Sequence, residues 1–186
     1  QGAEVVIAIL HYGMEYRRTP TSRQTKVSEG SFGAEGLLSR GVDVILGSHS
    51  HMVQPIVKVV QYALDEGKDT YAVYSLGNFL TGQRWRYTDS GIIVYVHILK
   101  QGDDTRVTGI SYLPVYVQKS GEEEVTYRIL PVLPRLTPVT DVAISPEDQS
   151  RMNQVWDELN RLLYRPDEGI LPLYPREDLS LEEEAG

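Results

Sequence analysis

The stretch Val42-Asp43-Val44-Ile45-Leu46-Gly47-Ser48-His49-Ser50-His51 joins a short apolar run to two closely spaced histidines. The run is bounded by glycines and is typical of a buried strand in a parallel sheet. Functional side chains of open α/β sheets gather at the carboxyl ends of the strands. Two imidazoles at such an end can converge on one metal ion, although a polar turn that happens to contain two histidines has the same pattern. The chain holds four histidines, and two of them are in this stretch.

Two further apolar runs end in the same way. Residues 4–10 stop at His11, and residues 71–76 stop just before Asn78, each beside a glycine that permits a tight turn. We therefore expect an α/β fold in which three strand ends share one site. His11, His49 and His51 are the expected metal ligands, and neutral imidazoles with carboxylates suit manganese, iron or zinc.

Three other polar residues lie close to these histidines in the sequence. Glu15 is a candidate for orienting His11 or for proton transfer, and a solvated loop glutamate is the alternative. Asn78 is a candidate for binding substrate or for holding a histidine loop, and a turn-forming asparagine is the alternative. Arg17 is a candidate for attracting an anionic substrate, and an ordinary exposed arginine is the alternative. His11 has its own alternative, a strand-end histidine bonded to the backbone.

Four blocks of the chain resemble the CapA family of bacterial capsule and poly-γ-glutamate synthesis proteins. Their order, spacing and chemistry match over roughly residues 4–135. The blocks are His11-Tyr12-Gly13-Met14-Glu15-Tyr16, Gly41-Val42-Asp43-Val44-Ile45-Leu46-Gly47-Ser48-His49-Ser50-His51, Gln54-Pro55-Ile56 and Tyr74-Ser75-Leu76-Gly77-Asn78-Phe79. The resemblance implies the metallophosphatase (calcineurin-like) fold, an α/β/β/α sandwich, of which we expect this chain to contain a part.

The resemblance also carries expectations about function. It implies a metal-dependent hydrolase-type site with His11, His49 and His51 as ligands, and metallophosphatases use a pair of divalent metals. The expected substrate is an anionic polymer or a phosphoester, the expected partners are other capsule or polyglutamate synthesis components, and the expected location is the bacterial cell surface. A non-catalytic component of polymer synthesis or export, which uses the fold for assembly or polymer binding, is the alternative. A plain α/β binding domain with incidental histidines is a third interpretation.

The two ends of the chain carry expectations of their own. Gln1-Gly2-Ala3 runs almost at once into a strand, so we expect the carboxyl-terminal part of a longer protein. The resemblance implies that earlier strands supply further metal-site residues, so that this chain alone is expected to be inactive. We expect a CapA-like domain over residues 1–135, and a helix with an acidic tail over residues 136–186.

Composition excludes several classes of protein. The net charge of −8 argues against a general nucleic-acid-binding protein, which needs a basic surface. The chain has no cysteine, which excludes disulfides and thiolate metal ligands. No apolar run reaches the length of a membrane span, and no signal-peptide pattern is present.

The remaining elements follow from local patterns. Residues 29–40 are expected to form a helix that buries Phe32, Leu37 and Leu38. From residue 91 onward, apolar alternation and tight turns predict an antiparallel meander of three strands. Ser145 and Pro146 predict the start of a second helix that runs to about Tyr164. Its apolar stripe consists of Met152, Val155, Trp156, Leu159, Leu162 and Leu163.

Overall fold

The computed structural model describes residues 2–31, 34–61, 68–133 and 142–174. The strands are β1 Ile7–His11, β2 Gly30–Ser31, β3 Ala34–Glu35, β4 Val44–Ser48, β5 Ile56–Gln61, β6 Lys68–Val73, β7 Ser90–Gln101, β8 Asp104–Ser120, β9 Thr126–Pro131 and β10 Ile170–Pro172. The α-helices are α1 Ser22–Ser28 and α2 Pro146–Leu163, with 3-10 turns at Leu38–Arg40 and Pro166–Glu168. This mixture of parallel strands, antiparallel strands and helices confirms the predicted α/β class.

The first sheet has the strand order β1-β4-β6-β5. Strands β1, β4 and β6 are parallel, as predicted, and β5 is an antiparallel edge strand. Alternate residues of each strand point to opposite faces. Val44, Tyr71 and Val73 therefore enter the main core, whereas Ile45 and Tyr74 belong to a smaller cluster on the other face.

Strand β1 is an apolar run, as the sequence indicates, but it is not buried on both faces. Ala8 and Leu10 pack against the smaller cluster, but Ile9 is 80% exposed and Ile7 is 43% exposed. The reason is position, because within the described residues β1 pairs with β4 alone and so forms an edge of the first sheet. An apolar pattern alone does not distinguish an edge strand from a central one.

The predicted helix over residues 29–40 is wrong. The helix in this region is α1, and it is followed by the paired strands β2 and β3 and by a 3-10 turn that buries Leu38. Thr21 caps α1 in a capping box with Gln24, which starts the helix earlier than the apolar pattern suggested. Gly36 then lies so close to the Ser28 carbonyl oxygen that no side chain fits there. Phe32 lies outside the described residues.

The second sheet confirms the predicted meander. Strands β7 and β8 form a long antiparallel pair with an irregularity between His97 and Ile98, and β9 pairs antiparallel with β8. Strand β10 pairs parallel with β8. It therefore adds a carboxyl-terminal strand to the second sheet.

Helix α2 confirms the second predicted helix and ends one residue earlier than expected. The Ser145 side chain accepts a hydrogen bond from the Asp148 amide at 3.0 Å, and Pro146 occupies the first turn. Within the predicted stripe, Leu162 is partly buried and the other five residues are buried in the core shared by both sheets. The boundary between residues 135 and 136 stays a prediction. Among the described residues, no helix is long and apolar enough to cross a membrane.

Buried tyrosines make the fold sensitive to alkaline pH. Burial, with help from Asp69 and Glu168, raises the pKa of Tyr71 to about 12, and burial also raises the pKa of Tyr112. Unfolded tyrosines ionise near pH 10. The raised folded pKa therefore contributes stability that is present below pH 10 and is lost as the pH rises towards 12. We expect the urea concentration at the midpoint of unfolding to fall as the pH rises from 10 to 12. In Tyr71→Phe this fall should be smaller. In Tyr95→Phe, where the tyrosine is exposed, the fall should be the same as in the wild type. A midpoint independent of pH would contradict this.

Candidate functional site

The ends of β1 and β4 place two of the predicted histidines together. His11 pairs in register with Ser48, the residue before His49. The ring centroids of His11 and His49 are 4.6 Å apart. The end of β6 joins the same edge, because the Leu76 amide donates to the Gly47 carbonyl at 3.0 Å. We call His11, His49, His51 and Asn78 the histidine edge.

The imidazole of His11 is fixed through one nitrogen. Its Nδ1 lies 3.1 Å from Ser48 Oγ, and that hydroxyl in turn donates to the Leu10 carbonyl at 3.4 Å. Because the serine proton is used in the second bond, the Ser48 oxygen accepts from His11 Nδ1–H. Nε2 of His11 is then the nitrogen left for a metal, which is the arrangement of a metal-ligating imidazole.

The imidazole of His51 is fixed in the same way by Asn78. The Asn78 amide group donates to Thr88 O at 2.9 Å and to Gln83 Oε1 at 3.0 Å, so its Oδ1 is an acceptor. His51 Nδ1 lies 2.9 Å from that oxygen and must be the protonated nitrogen. Nε2 is the nitrogen left for another partner, and it lies 3.7 Å from Glu15 Oε1. The predicted interaction of Glu15 is thus with His51 rather than with His11.

A closed ring of contacts supports His51. Gln83 accepts from Asn78 and donates through Nε2 to Tyr16 Oη at 3.3 Å. The ring of Tyr16 stacks on His51 with 5.5 Å between centroids, and Trp85 packs edge-on against Tyr16. Sequence reasoning missed Gln83 and assigned no role to Tyr16, because their contacts join segments 67 residues apart.

The loop that carries His49 and His51 has unusual backbone conformations. His49 has φ 109° and His51 has φ 59°, both in the region that favours glycine. Buried Ser50, between them, contacts Ser75 Oγ at 2.9 Å, and its carbonyl accepts from the Tyr16 amide at 2.7 Å. Surrounding contacts therefore hold two non-glycine residues in costly conformations, which is a common feature of functional sites.

Two buried glutamines anchor the segment after the first histidine. Gln24 Nε2 donates to Gln54 Oε1 at 2.8 Å, and Gln54 Nε2 donates to the carbonyls of Arg17 and Thr19 at 3.0 and 3.1 Å. The backbone of Arg17 is therefore fixed. Its side chain is exposed and makes no ion pair within the described residues. Neither glutamine was predicted to support the site, although Gln54 lies in a block that resembles the family.

The imidazoles of the histidine edge and the Glu15 carboxylate are of the right chemical type to bind a divalent metal, but too few of them are grouped around one point. His11 and His51 are both hydrogen-bonded through Nδ1, so Nε2 is the nitrogen that each would offer to a transition metal. Among the described residues, however, no group of three histidine, aspartate or glutamate side chains is placed to hold one ion. The predicted ligands instead form two pairs, His11 with His49 and His51 with Glu15. The described residues therefore do not make a complete metal site.

The chain is similar to known capsule synthesis proteins. Residues 1–83 match the family model described as Bacterial capsule synthesis protein PGA_cap. The PGA biosynthesis protein CapA of Bacillus subtilis (strain 168) is 32% identical over 100 residues, which cover 54% of this chain and 23% of that protein. The Capsule biosynthesis protein CapA of Bacillus anthracis is 29% identical over 124 residues, which cover 67% of this chain and 26% of that protein.

The chain thus spans about a quarter of the length of these curated relatives. No solved structure matches it significantly. The matched residues include all three strand ends that form the histidine edge, and they confirm the resemblance inferred from the four sequence blocks. In the segment that carries this site, the chain is similar to the CapA family of bacterial capsule synthesis proteins.

Proposed function

We propose that the histidine edge is part of a metal-dependent hydrolase-type site in a capsule synthesis protein. The observation that carries the proposal is that His11 and His51 are each hydrogen-bonded through Nδ1, which leaves Nε2 as the nitrogen that would bind a metal. With His49 they would supply part of the ligand set of a divalent manganese, iron or zinc ion. Such an ion, when bound, supplies Lewis-acid polarisation of a substrate oxygen.

The other residues of the edge have roles that follow from their contacts. The Glu15 carboxylate is half exposed and near His51 Nε2, so it can exchange a proton with solvent and with the site. Asn78 keeps the His51 ring in one orientation and one tautomer. Tyr16 covers one face of the His51 ring and limits the approach of water from that side.

The family names support a wider proposal about the whole protein. We infer a metallophosphatase-like sandwich fold, a substrate that is an anionic polymer or a phosphoester, and a place at the bacterial cell surface beside other capsule synthesis components. The printed names of the relatives refer to capsule and PGA biosynthesis. A hydrolase-type site in such a protein would act on the polymer or on an activated precursor of it.

Metal affinity tests this proposal directly. We would titrate the metal-free chain with Zn²⁺ and Mn²⁺ in competition with a chromophoric chelator. The double variant His49→Ala/His51→Ala is expected to lose binding by at least about tenfold, because it removes two of three imidazole ligands. His97→Ala is the matched control, since His97 lies on β7 and contacts Ser111 instead. Equal affinity in the double variant and in the wild type would refute the metal site.

The role of Asn78 can be tested in the same titration. Asn78→Ala removes the acceptor of His51 Nδ1–H, so the imidazole is free to rotate and to change tautomer. We expect metal affinity to fall by about 10–100-fold, as for other residues that orient a ligating histidine. Asn153→Ala, at an exposed position of α2, is the control and should bind metal like the wild type. Unchanged affinity in Asn78→Ala would mean that Asn78 only shapes the turn.

A non-catalytic role remains the second candidate, and one observation favours it. The described residues pair the predicted ligands instead of grouping three of them. A protein that uses the fold for assembly or polymer binding would not need those ligands. The non-catalytic role predicts that the His49→Ala/His51→Ala variant supports normal export in a host cell that depends on this protein for polymer export. Loss of export by a correctly folded variant would favour the hydrolase-type site.

A further inference from the structure

A cleft opens beside His11 and His49, between the end of β1 and helix α1. Its volume is about 360 Å³, which lies within the range of small-molecule sites. It is lined by Leu10, His11, Tyr12, Gly13, Arg23, Val27 and His49. The cleft therefore shares two side chains with the histidine edge and adds a wall from α1.

The lining of this cleft differs in charge from the rest of the chain. The chain has a net charge of −8, yet the described residues that line the cleft include one arginine and no carboxylate. Arg23 is exposed, and its guanidinium has no hydrogen-bond or ion-pair partner among the residues that the structure describes. Because the Arg23 guanidinium is not neutralised by a carboxylate of the described residues, it is available to bind an anionic ligand from solution.

The backbone that carries Arg23 is held firmly. Thr21 and Gln24, on either side of it, form the capping box that begins α1. Gln24 is fully buried and bonded to Gln54, and it packs so closely on Gly13 that an added Cβ there would lie 2.6 Å from it. Only the side chain of Arg23 must be ordered when a ligand binds, which lowers the entropic cost of binding.

We propose that Arg23 is the oxyanion-binding residue of this cleft and holds a carboxylate or phosphate group of the substrate beside His11 and His49. The planar guanidinium presents paired N–H donors that match both kinds of oxyanion. The proposal deepens the proposed function by naming the substrate's recognised group, although anion binding by Arg23 does not require a metal. The sequence had assigned this role to Arg17, which does not line the cleft.

The role of Arg23 is tested by measuring anion binding to the whole chain. Metal is first removed with a chelator, and the chelator is then removed by dialysis. Glutarate is the carboxylate probe and inorganic phosphate the phosphate probe, each measured by isothermal titration calorimetry at low ionic strength. We expect the wild type to bind one probe in the millimolar range, and Arg23→Gln to weaken that binding by about tenfold or more. The preferred probe identifies the chemical source of the oxyanion.

Lys26→Gln is the matched control. It removes the same charge from the same helix, but Lys26 lies outside this cleft and lines only a second depression, which Arg23 also borders. The control should bind the probe like the wild type, and circular dichroism should show that both variants fold. The proposal is overturned if neither probe binds the wild type, or if Arg23→Gln and Lys26→Gln have the same effect. Metal titration is independent of this test, so failure of the metal site would leave a positive Arg23 result intact.

Discussion

Gly47→Ala is expected to lower the free energy of unfolding by about 3 kcal/mol or more, the largest effect of any substitution at the site. Gly47 lies where β4 meets the end of β6. An added Cβ would overlap the Tyr74 carbonyl oxygen and come within 2.8 Å of Tyr12 Cε1. The Leu76 amide also donates to the Gly47 carbonyl, so the two strands cannot separate without losing a hydrogen bond.

Urea unfolding followed by circular dichroism measures this effect. Gly82→Ala is the control, because a Cβ there would meet the Tyr127 hydroxyl only at an ordinary contact distance of 3.4 Å. Its stability should match the wild type within about 0.5 kcal/mol. A small effect at Gly47, comparable with the control, would show that β6 can move away from β4 and that the strand ends are not tightly fixed.

Arg151→Met is expected to be the second most damaging substitution, at about 3 kcal/mol. The guanidinium of Arg151 binds both carboxylate oxygens of Asp89 at 2.8 and 2.9 Å and Glu158 at 3.1 Å. The hydrogen bonds that Arg151 donates to Asp89 raise the pKa of Arg151, and all three side chains are less than one-fifth exposed. Removing the arginine takes the cation from the partly buried carboxylate of Asp89 and leaves Glu158 with its ion pair to Arg86.

The effect of Arg151→Met should extend to the histidine edge. Asp89 adjoins Thr88, whose carbonyl accepts from Asn78, the residue that holds His51. We expect metal affinity to fall together with stability. Arg161→Met, at an exposed position of the same helix, is the control and should change neither by more than about 0.5 kcal/mol. If Arg151→Met has the stability of the wild type, the segment that contains Thr88 and Asp89 is held by its other contacts and not by the ion pair with Arg151.

The local sequence pattern was sufficient to predict those elements whose caps, apolar spacing and turns lie within the element itself. Helix α2 begins with a serine cap and a proline and has a regular apolar stripe, so its limits were predicted to within one residue. The strands of the meander alternate and end in tight turns, so their pairing followed from order alone. In both cases the decisive interactions join residues that are close in the chain.

Prediction failed where distant residues decide the structure. The segment after Gly30 has apolar residues at helical spacing, but close contacts of Gly36 with Ser28 and Glu29 exclude a helix there. Strand β1 has the composition of a central strand, and only the sheet order shows it to be an edge. Neither the close contacts of Gly36 nor the edge position of β1 can be inferred from a short stretch of sequence.

The sequence by itself determined the residue types of the site and the edge of the sheet where they meet. Each histidine or asparagine follows an apolar run that ends at a glycine, and parallel strands bring their carboxyl ends together. Tertiary structure alone decided the partners. Asn78 fixes His51, Ser48 fixes His11, and Gln83 and Tyr16 complete the support. It also placed Arg23, and not Arg17, in the cleft. The physical reason is that strand formation depends on neighbours in the chain, whereas side-chain orientation depends on hydrogen bonds across it.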